Sequence, residues 1–198
     1  MNPSAHGLRF APAGWTRARL AKGLAAVAQA AFLPERARDA FAAFLVGGKL
    51  LRARLYFGEC APGTGRARTA LGLELLHAAS LLHDDIVDGD RFRRGAPALW
   101  AAEGTATALL AGDWLLAEAV SRLPVDARLA QVLQAMTRAE LRHLAGGDDP
   151  AAYARGKTAE LFAYAASLAR PGDAALRRRA LRFGLAFQQA DDAADGGG

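Results

Sequence analysis

Three observations predict an all-α protein. Alanine and leucine recur throughout while β-branched residues are sparse, a choice that favours helix over strand. Apolar residues repeat at helical spacing, with punctuation by glycine and proline. The breaks are short, which makes successive helices antiparallel neighbours in one bundle. With 198 residues, 52% of them apolar and 23% charged, the chain suits a single domain over 1–198 with a substantial core.

The predicted helices fall in order near 15–32, 35–45, 49–59, 66–88, 103–122, 125–145, 150–170 and 173–195. The first begins with basic residues before an apolar stretch, like a signal peptide, but Gln29 interrupts it and an amphipathic helix is the reading taken. "VGGK", "APGTG" and "DGDRFRRGAP" carry turn chemistry between the next segments. In 103–122 the run "TATALLAGDWLLAEAV" is broken by Asp113 and is too short to span a bilayer, so no transmembrane segment is expected. "LPVD", "AGGDDP" and "RPGD" separate the last helices. Asp148 and Asp149, between two glycines and Pro150, read as a turn and helix N-cap. No repeat of fixed period divides the chain.

A formal charge of +5 and a pI of about 10 suit an anionic partner. Nucleic acid is not expected, because the basic residues are dispersed and accompany carboxylates instead of forming a continuous face. The single cysteine, Cys60, excludes an internal disulfide and fits a reducing, cytoplasmic setting.

The chemistry concentrates in a motif that occurs twice. Asp84, Asp85 and Asp88 in "SLLHDDIVDGDRFRRG", and Asp191, Asp192 and Asp195 in "QQADDAADGGG", each read DDxxD near the end of a long helical segment. Positions i, i+1 and i+4 present three carboxylates from one side of a helix. Negative charge there opposes the macrodipole, and like charges at i,i+4 repel. A hard divalent cation offsets both costs, and Mg²⁺ binds through one or two carboxylates together with substrate phosphates. Two facing motifs of this kind could hold Mg²⁺ ions around a diphosphate.

Further candidates surround the carboxylates. His77 stands two helical turns before Asp84, and Gln188 lies four before Asp192 on the same face. "GGKLLR" places Lys49 and Arg52 at i,i+3 after two glycines, where backbone N–H groups and the helix dipole attract anions. Arg93 and Arg94 lie in the loop beyond the first carboxylates, and Lys157 and Thr158 begin a helical stretch. The aspartates and arginines of "SLLHDDIVDGDRFRRG" therefore read as separated by task, metal for the one and diphosphate for the other, and not as neutralising each other.

In this order, "GGKLLR", "ELLHAASLLHDDIVDGDRFRRG", "AGDWLLAEA", "GKTAELF" and "GLAFQQADDAAD" resemble the trans-isoprenyl (polyprenyl) diphosphate synthases over nearly the whole chain. The resemblance implies an isoprenoid synthase helical bundle around a central apolar cavity, usually a homodimer. It implies ionisation of an allylic diphosphate, attack by isopentenyl diphosphate on the allylic cation, and proton loss. Carried over by position, Asp84, Asp85, Asp88, Asp191, Asp192 and Asp195 would bind Mg²⁺ and the allylic diphosphate, which Arg93 and Lys157 would help hold. Lys49, Arg52, His77 and Arg94 would bind isopentenyl diphosphate, with Thr158 and Gln188 as further contacts. Family product length depends on side chains below the first aspartates. Ala79 and Ser80 are small there, which leaves room for a product of about twenty carbons or longer.

The sequence also departs from the family pattern. Leu50 replaces a commonly basic residue, the stretch between "RAELRHLAGG" and "GKT" is short, and family members continue well past the second motif. The chain thus reads as C-terminally incomplete, lacking the usual closing helices. Two alternatives remain at this stage: a class I terpene cyclase, which Lys49, Arg52 and His77 argue against, and a diphosphate-binding subunit that needs a heteromeric partner.

Overall fold

The computed structural model describes residues 6–147 and 149–195; Asp148 and the side chains of Asp192, Ala194 and Asp195 lie outside the described residues. The described residues are almost entirely helical. The helices are α1 (Ala13–Ala30), α2 (Glu35–Val46), α3 (Leu51–Glu59), α4 (Arg66–Val87), α5 (Leu99–Glu103), α6 (Thr105–Val120), α7 (Ala127–Leu144), α8 (Pro150–Ala154), α9 (Glu160–Ala169) and α10 (Ala174–Asp195). A π-helical segment, Arg155–Ala159, joins α8 to α9. Among the described residues, no helix is long and apolar enough to cross a membrane.

All eight expected segments are present, and the all-α prediction holds. Three local features escaped it. The helix expected from 49 begins at Leu51, because Leu50 takes φ 51, a left-handed conformation that cannot continue a right-handed helix. A small antiparallel hairpin pairs β1 (Phe92–Arg93) with β2 (Ala96–Pro97), and α5 follows it. Its turn residues Arg94 and Gly95 have φ 54 and 80, the positive pair that matches the twist of a two-residue hairpin loop. The π-helical segment interrupts the predicted 150–170 helix.

The chain forms two compact units. One comprises Ala13–Leu50 and Thr64–Leu123, carrying α1, α2, α4, α5 and α6. Its main packing is α4 against α6. α1 turns Leu20, Leu24, Val27 and Ala28 inward, and α2 turns Ala37, Phe41 and Leu45, the i, i+4, i+8 stripe of an amphipathic helix. α4 is buried along most of its length, and this places Asp84 and Asp85 at the end of an apolar rod.

The other unit comprises the segment up to Pro12, Leu51–Gly63, and the chain from Pro124 onward, with α3 and α7 to α10. α9 is its core, with Leu161, Phe162, Ala163 and Ala165 all at 0% exposure. Phe162 meets Phe183 of α10 edge to face at 5.2 Å between centroids. The buried Glu59 of α3 is satisfied by Arg9, at 3.1 Å, and Arg170, at 2.9 Å, a polar lock inside an apolar unit. Asp126 and Asp149 cap α7 and α8, each accepting two backbone N–H groups. Asp149 is thus the N-cap predicted from "GGDDP".

Candidate active site

The first carboxylate motif closes α4. Asp84 and Asp85 occupy its last turn, and Asp88 is the C-cap, its N–H donating to the Asp84 carbonyl at 2.8 Å. Asp84 is 7% and Asp85 1% exposed, while Asp88 faces solvent. Two buried carboxylates at the negative end of a helix dipole are held at an energetic cost.

Arg93, on β1, offsets part of that cost. Its Nε donates to Asp85 Oδ1 at 2.7 Å, its Nη2 bonds to the same oxygen, and Asp90 lies 3.4 Å away. The reading that these opposite charges are separated by task is corrected here: the hairpin folds Arg93 back onto α4, so in this conformation Arg93 and Asp85 neutralise each other. Burial still pushes the Asp85 carboxyl above its ordinary range, with the Arg93 pair opposing. Burial also disfavours charge on Arg93, but its hydrogen bond to Asp85 and the nearby carboxylates outweigh that and hold it protonated.

Asp85 Oδ2 is buried and has no hydrogen-bond partner. An orphaned carboxylate oxygen beside a second buried carboxylate is a hard, anionic donor set, and it suits a cation such as Mg²⁺. Among the described residues no three carboxylate, imidazole or thiol groups are gathered as one metal cluster, and Asp85 is paired with Arg93.

The remaining candidates of this unit lie around α2 and α4. His77 is half-buried on α4, and its carbonyl accepts from Ser80 Oγ at 2.9 Å. Ala79 is buried at 3% exposure. Lys49 is exposed in the turn before α3 and does not share a helix with Arg52, contrary to the i,i+3 reading, because of left-handed Leu50. Arg94 does stand apart from the carboxylates: it donates to the Phe44 carbonyl at 3.3 Å and lies over the Phe44 ring. Burial lowers its pKa, and so do the neighbouring Arg93 and Arg17, while Glu74 opposes them.

The second set belongs to the other unit. Arg52 is buried on α3 with its guanidinium 4.6 Å from the Phe162 ring centroid. Lys157 sits in the π-helical segment, where the wider turn changes the direction of side chains relative to an α-helix. Its Nζ lies 2.5 Å from Tyr153 Oη and 3.2 Å from Glu140 Oε1, and Tyr153 Oη donates to Glu140 at 3.1 Å. Burial pushes Tyr153 up to about 12, although Lys157 pulls the other way. Thr158 Oγ1 donates to Gln188 Oε1 at 2.5 Å, joining the π segment to α10. Asp191 is half-buried on α10; the side chains of Asp192 and Asp195 lie outside the described residues.

Sequence reasoning missed Glu140, Tyr153 and Arg17. Tyr153 is one helical turn before Lys157, a spacing that could have flagged it. Glu140 and Arg17 reach their partners across the fold, and no local pattern announces that.

A family model described as polyprenyl synthetase matches residues 35–198. A geranylgeranyl diphosphate synthase of Mycobacterium tuberculosis is 35% identical over 173 residues, which cover 73% of this chain and 49% of the relative. An octaprenyl diphosphate synthase of Haemophilus influenzae is 32% identical, covering 67% of this chain and 46% of the relative. Among solved structures, a polyprenyl synthase from Caulobacter crescentus complexed with calcium and isoprenyl diphosphate is 31% identical with a TM-score of 0.72, covering 92% of this chain and 65% of that one. An isoprenoid synthase family member from Thermotoga neapolitana has a TM-score of 0.79 at 25% identity, covering 91% of this chain and 80% of that one. The chain spans about half the length of the curated relatives it matches.

Proposed function

Because the chain belongs to the polyprenyl synthetase family, we propose that it serves the Mg²⁺-dependent head-to-tail condensation of isopentenyl diphosphate with an allylic diphosphate. The observation that carries this reading is the end of α4: two buried aspartates, one with an unmet oxygen, next to an arginine. Such a group is costly in a resting protein and useful where a metal and a diphosphate arrive together.

Asp84, Asp85 and Asp88, and Asp191, Asp192 and Asp195, would hold Mg²⁺, which would supply positive charge that favours loss of diphosphate from the allylic carbon. Arg93, freed from Asp85, and Lys157, held by Tyr153 and Glu140, bind the departing diphosphate. Their charge stabilises it more as the C–O bond breaks than in the ground state. Lys49, Arg52, His77 and Arg94 hold isopentenyl diphosphate, and Thr158 with Gln188 fixes the π segment beside Lys157. Small, buried Ala79 and small Ser80 support a product of about twenty carbons or longer. The exposed Leu109 and Leu110 of α6 support a homodimer.

The test is incubation with Mg²⁺, labelled isopentenyl diphosphate and a series of allylic diphosphates, followed by product chain analysis. Elongated polyprenyl diphosphates are expected. No elongation with any primer, with the allylic diphosphate merely bound or cyclised, would overturn the proposal.

A further inference from the structure

Arg17 of α1 reaches the end of α2, and among the described residues its partners there are backbone carbonyls. Its Nη1 donates to the Val46 carbonyl and its Nη2 to the Gly48 carbonyl at 2.9 Å. Helix α2 ends at Val46, where no further helical N–H arrives to satisfy such carbonyls. The peptide unit is planar and trans, so a Gly48 carbonyl aimed at Arg17 turns the Lys49 N–H the opposite way. One guanidinium therefore sets two peptide planes, one on each side of the Gly47–Gly48 pair.

Arg94 approaches the same loop. Its Nη1 lies 3.6 Å and its Nη2 3.5 Å from where a Cβ would stand on Gly47 and Gly48 respectively. A Cβ at either position would meet Arg94 only at ordinary van der Waals distance, so the guanidinium lies directly against this loop. The loop then passes through left-handed Leu50, which its burial at 3% exposure holds in place. Arg17, Lys49 and Arg94 bring three cations to a loop of four residues, and burial together with Arg93 and Arg17 disfavours the charged form of Arg94, with Glu74 and Asp85 opposing. An arriving anion relieves that repulsion.

We infer that Arg17 is a positioning residue for the diphosphate of the homoallylic substrate, fixing the Gly47–Lys49 loop against which Lys49 and Arg94 bind it. The inference rests on the condensation proposed above, which gives Lys49 and Arg94 that ligand. A planar fork is required, because two carbonyls must be met at once; a lysine supplies one point charge and cannot span both.

The test compares wild type with Arg17→Gln and Arg17→Lys by steady-state kinetics, by calorimetric binding of isopentenyl diphosphate without Mg²⁺, and by thermal unfolding. The expected result is a KM for isopentenyl diphosphate raised about tenfold in Arg17→Gln, with kcat and the KM for the allylic diphosphate within about twofold of wild type. Arg17→Lys keeps the charge but leaves that KM raised several-fold. A lowered melting temperature with an unmoved KM for isopentenyl diphosphate, or both KM values raised alike, overturns the inference. If Arg17→Gln does not fold, Arg17→Lys carries the same comparison. If wild type elongates nothing, the condensation reading fails on its own, and calorimetry still decides: weaker binding by the variants supports Arg17, while equal binding, or none by wild type, overturns it.

Discussion

Arg93 Nε lies 2.7 Å from Asp85 Oδ1, so the proposed diphosphate-binding cation and one proposed metal ligand are partners in the conformation described. The side chain of Asp85 is 2% exposed and that of Arg93 28%, so the pair is shielded enough that removing one member strands the other. Arg93→Ala is expected to destabilise the protein by about 2 kcal/mol, chiefly by leaving Asp85 buried and unpaired. Asp85→Asn should recover part of that loss in the double variant. Urea unfolding of the two single variants and the double variant measures the coupling, and strict additivity would show that the pair is not energetically real.

Asp84→Ala and Asp191→Ala test the two acidic motifs separately. If each motif serves the metal-assisted step, either substitution should lower turnover by about 100-fold or more, with far-ultraviolet circular dichroism unchanged. Near-normal turnover in one variant removes that motif from the proposed site. Excess Mg²⁺ should restore little, because the ligand itself is missing.

How much of this was legible in sequence follows from the kind of interaction involved. The α4 carboxylates, the Asp149 cap and the helix order could be read directly, since each depends on residues within one or two turns of each other. The pairing of Arg93 with Asp85 could not, because it depends on a hairpin turn that gives a positive φ to Arg94, a residue in which that conformation is uncommon. Lys49 was placed on a helix for the same reason: nothing in "GGKLLR" marks Leu50 as left-handed. Lys157 was found by resemblance, but its partners were not, since Glu140 lies on α7 and the π segment that carries Lys157 has no simple spacing signature.

The Lys157 network has a signature at alkaline pH. The phenols of Tyr153 and Tyr164 are each pushed up to about 12 by burial first of all. A phenol whose folded pKa is raised contributes stability that is fully present below its ordinary value of about 10 and is lost as pH rises through about 12. Wild-type stability should therefore fall across that window, and Tyr153→Phe should remove its share of the fall. Ultraviolet titration should show one fewer late-ionising phenol in the variant. The same substitution removes the oxygen 2.5 Å from Lys157 Nζ, so the KM for the allylic diphosphate should rise by a few-fold. An unchanged titration together with an unchanged KM would show that Tyr153 does not hold Lys157.

Gly58 tests the packing of the Arg9–Ala11 segment against α3. A Cβ on Gly58 would stand 2.3 Å from the Arg9 carbonyl oxygen and 2.9 Å from the Phe10 nitrogen, both backbone atoms of the segment that crosses α3. That segment is fixed: the Ala11 N–H donates to the Arg54 carbonyl at 2.9 Å, and the Arg9 N–H donates to Glu59 at 2.7 Å. Alanine within a helix ordinarily gains about 0.5–1 kcal/mol over glycine, but here the backbone must move by more than a side-chain adjustment allows. Gly58→Ala should therefore destabilise by about 2 kcal/mol despite the better helix former. Gly14, on α1, has nothing within 4 Å of its would-be Cβ, and Gly14→Ala should be neutral or slightly stabilising. Urea midpoints for the two variants measure the contrast. A Gly58→Ala variant as stable as Gly14→Ala would mean that the Arg9–Ala11 segment does not lie against α3 as described.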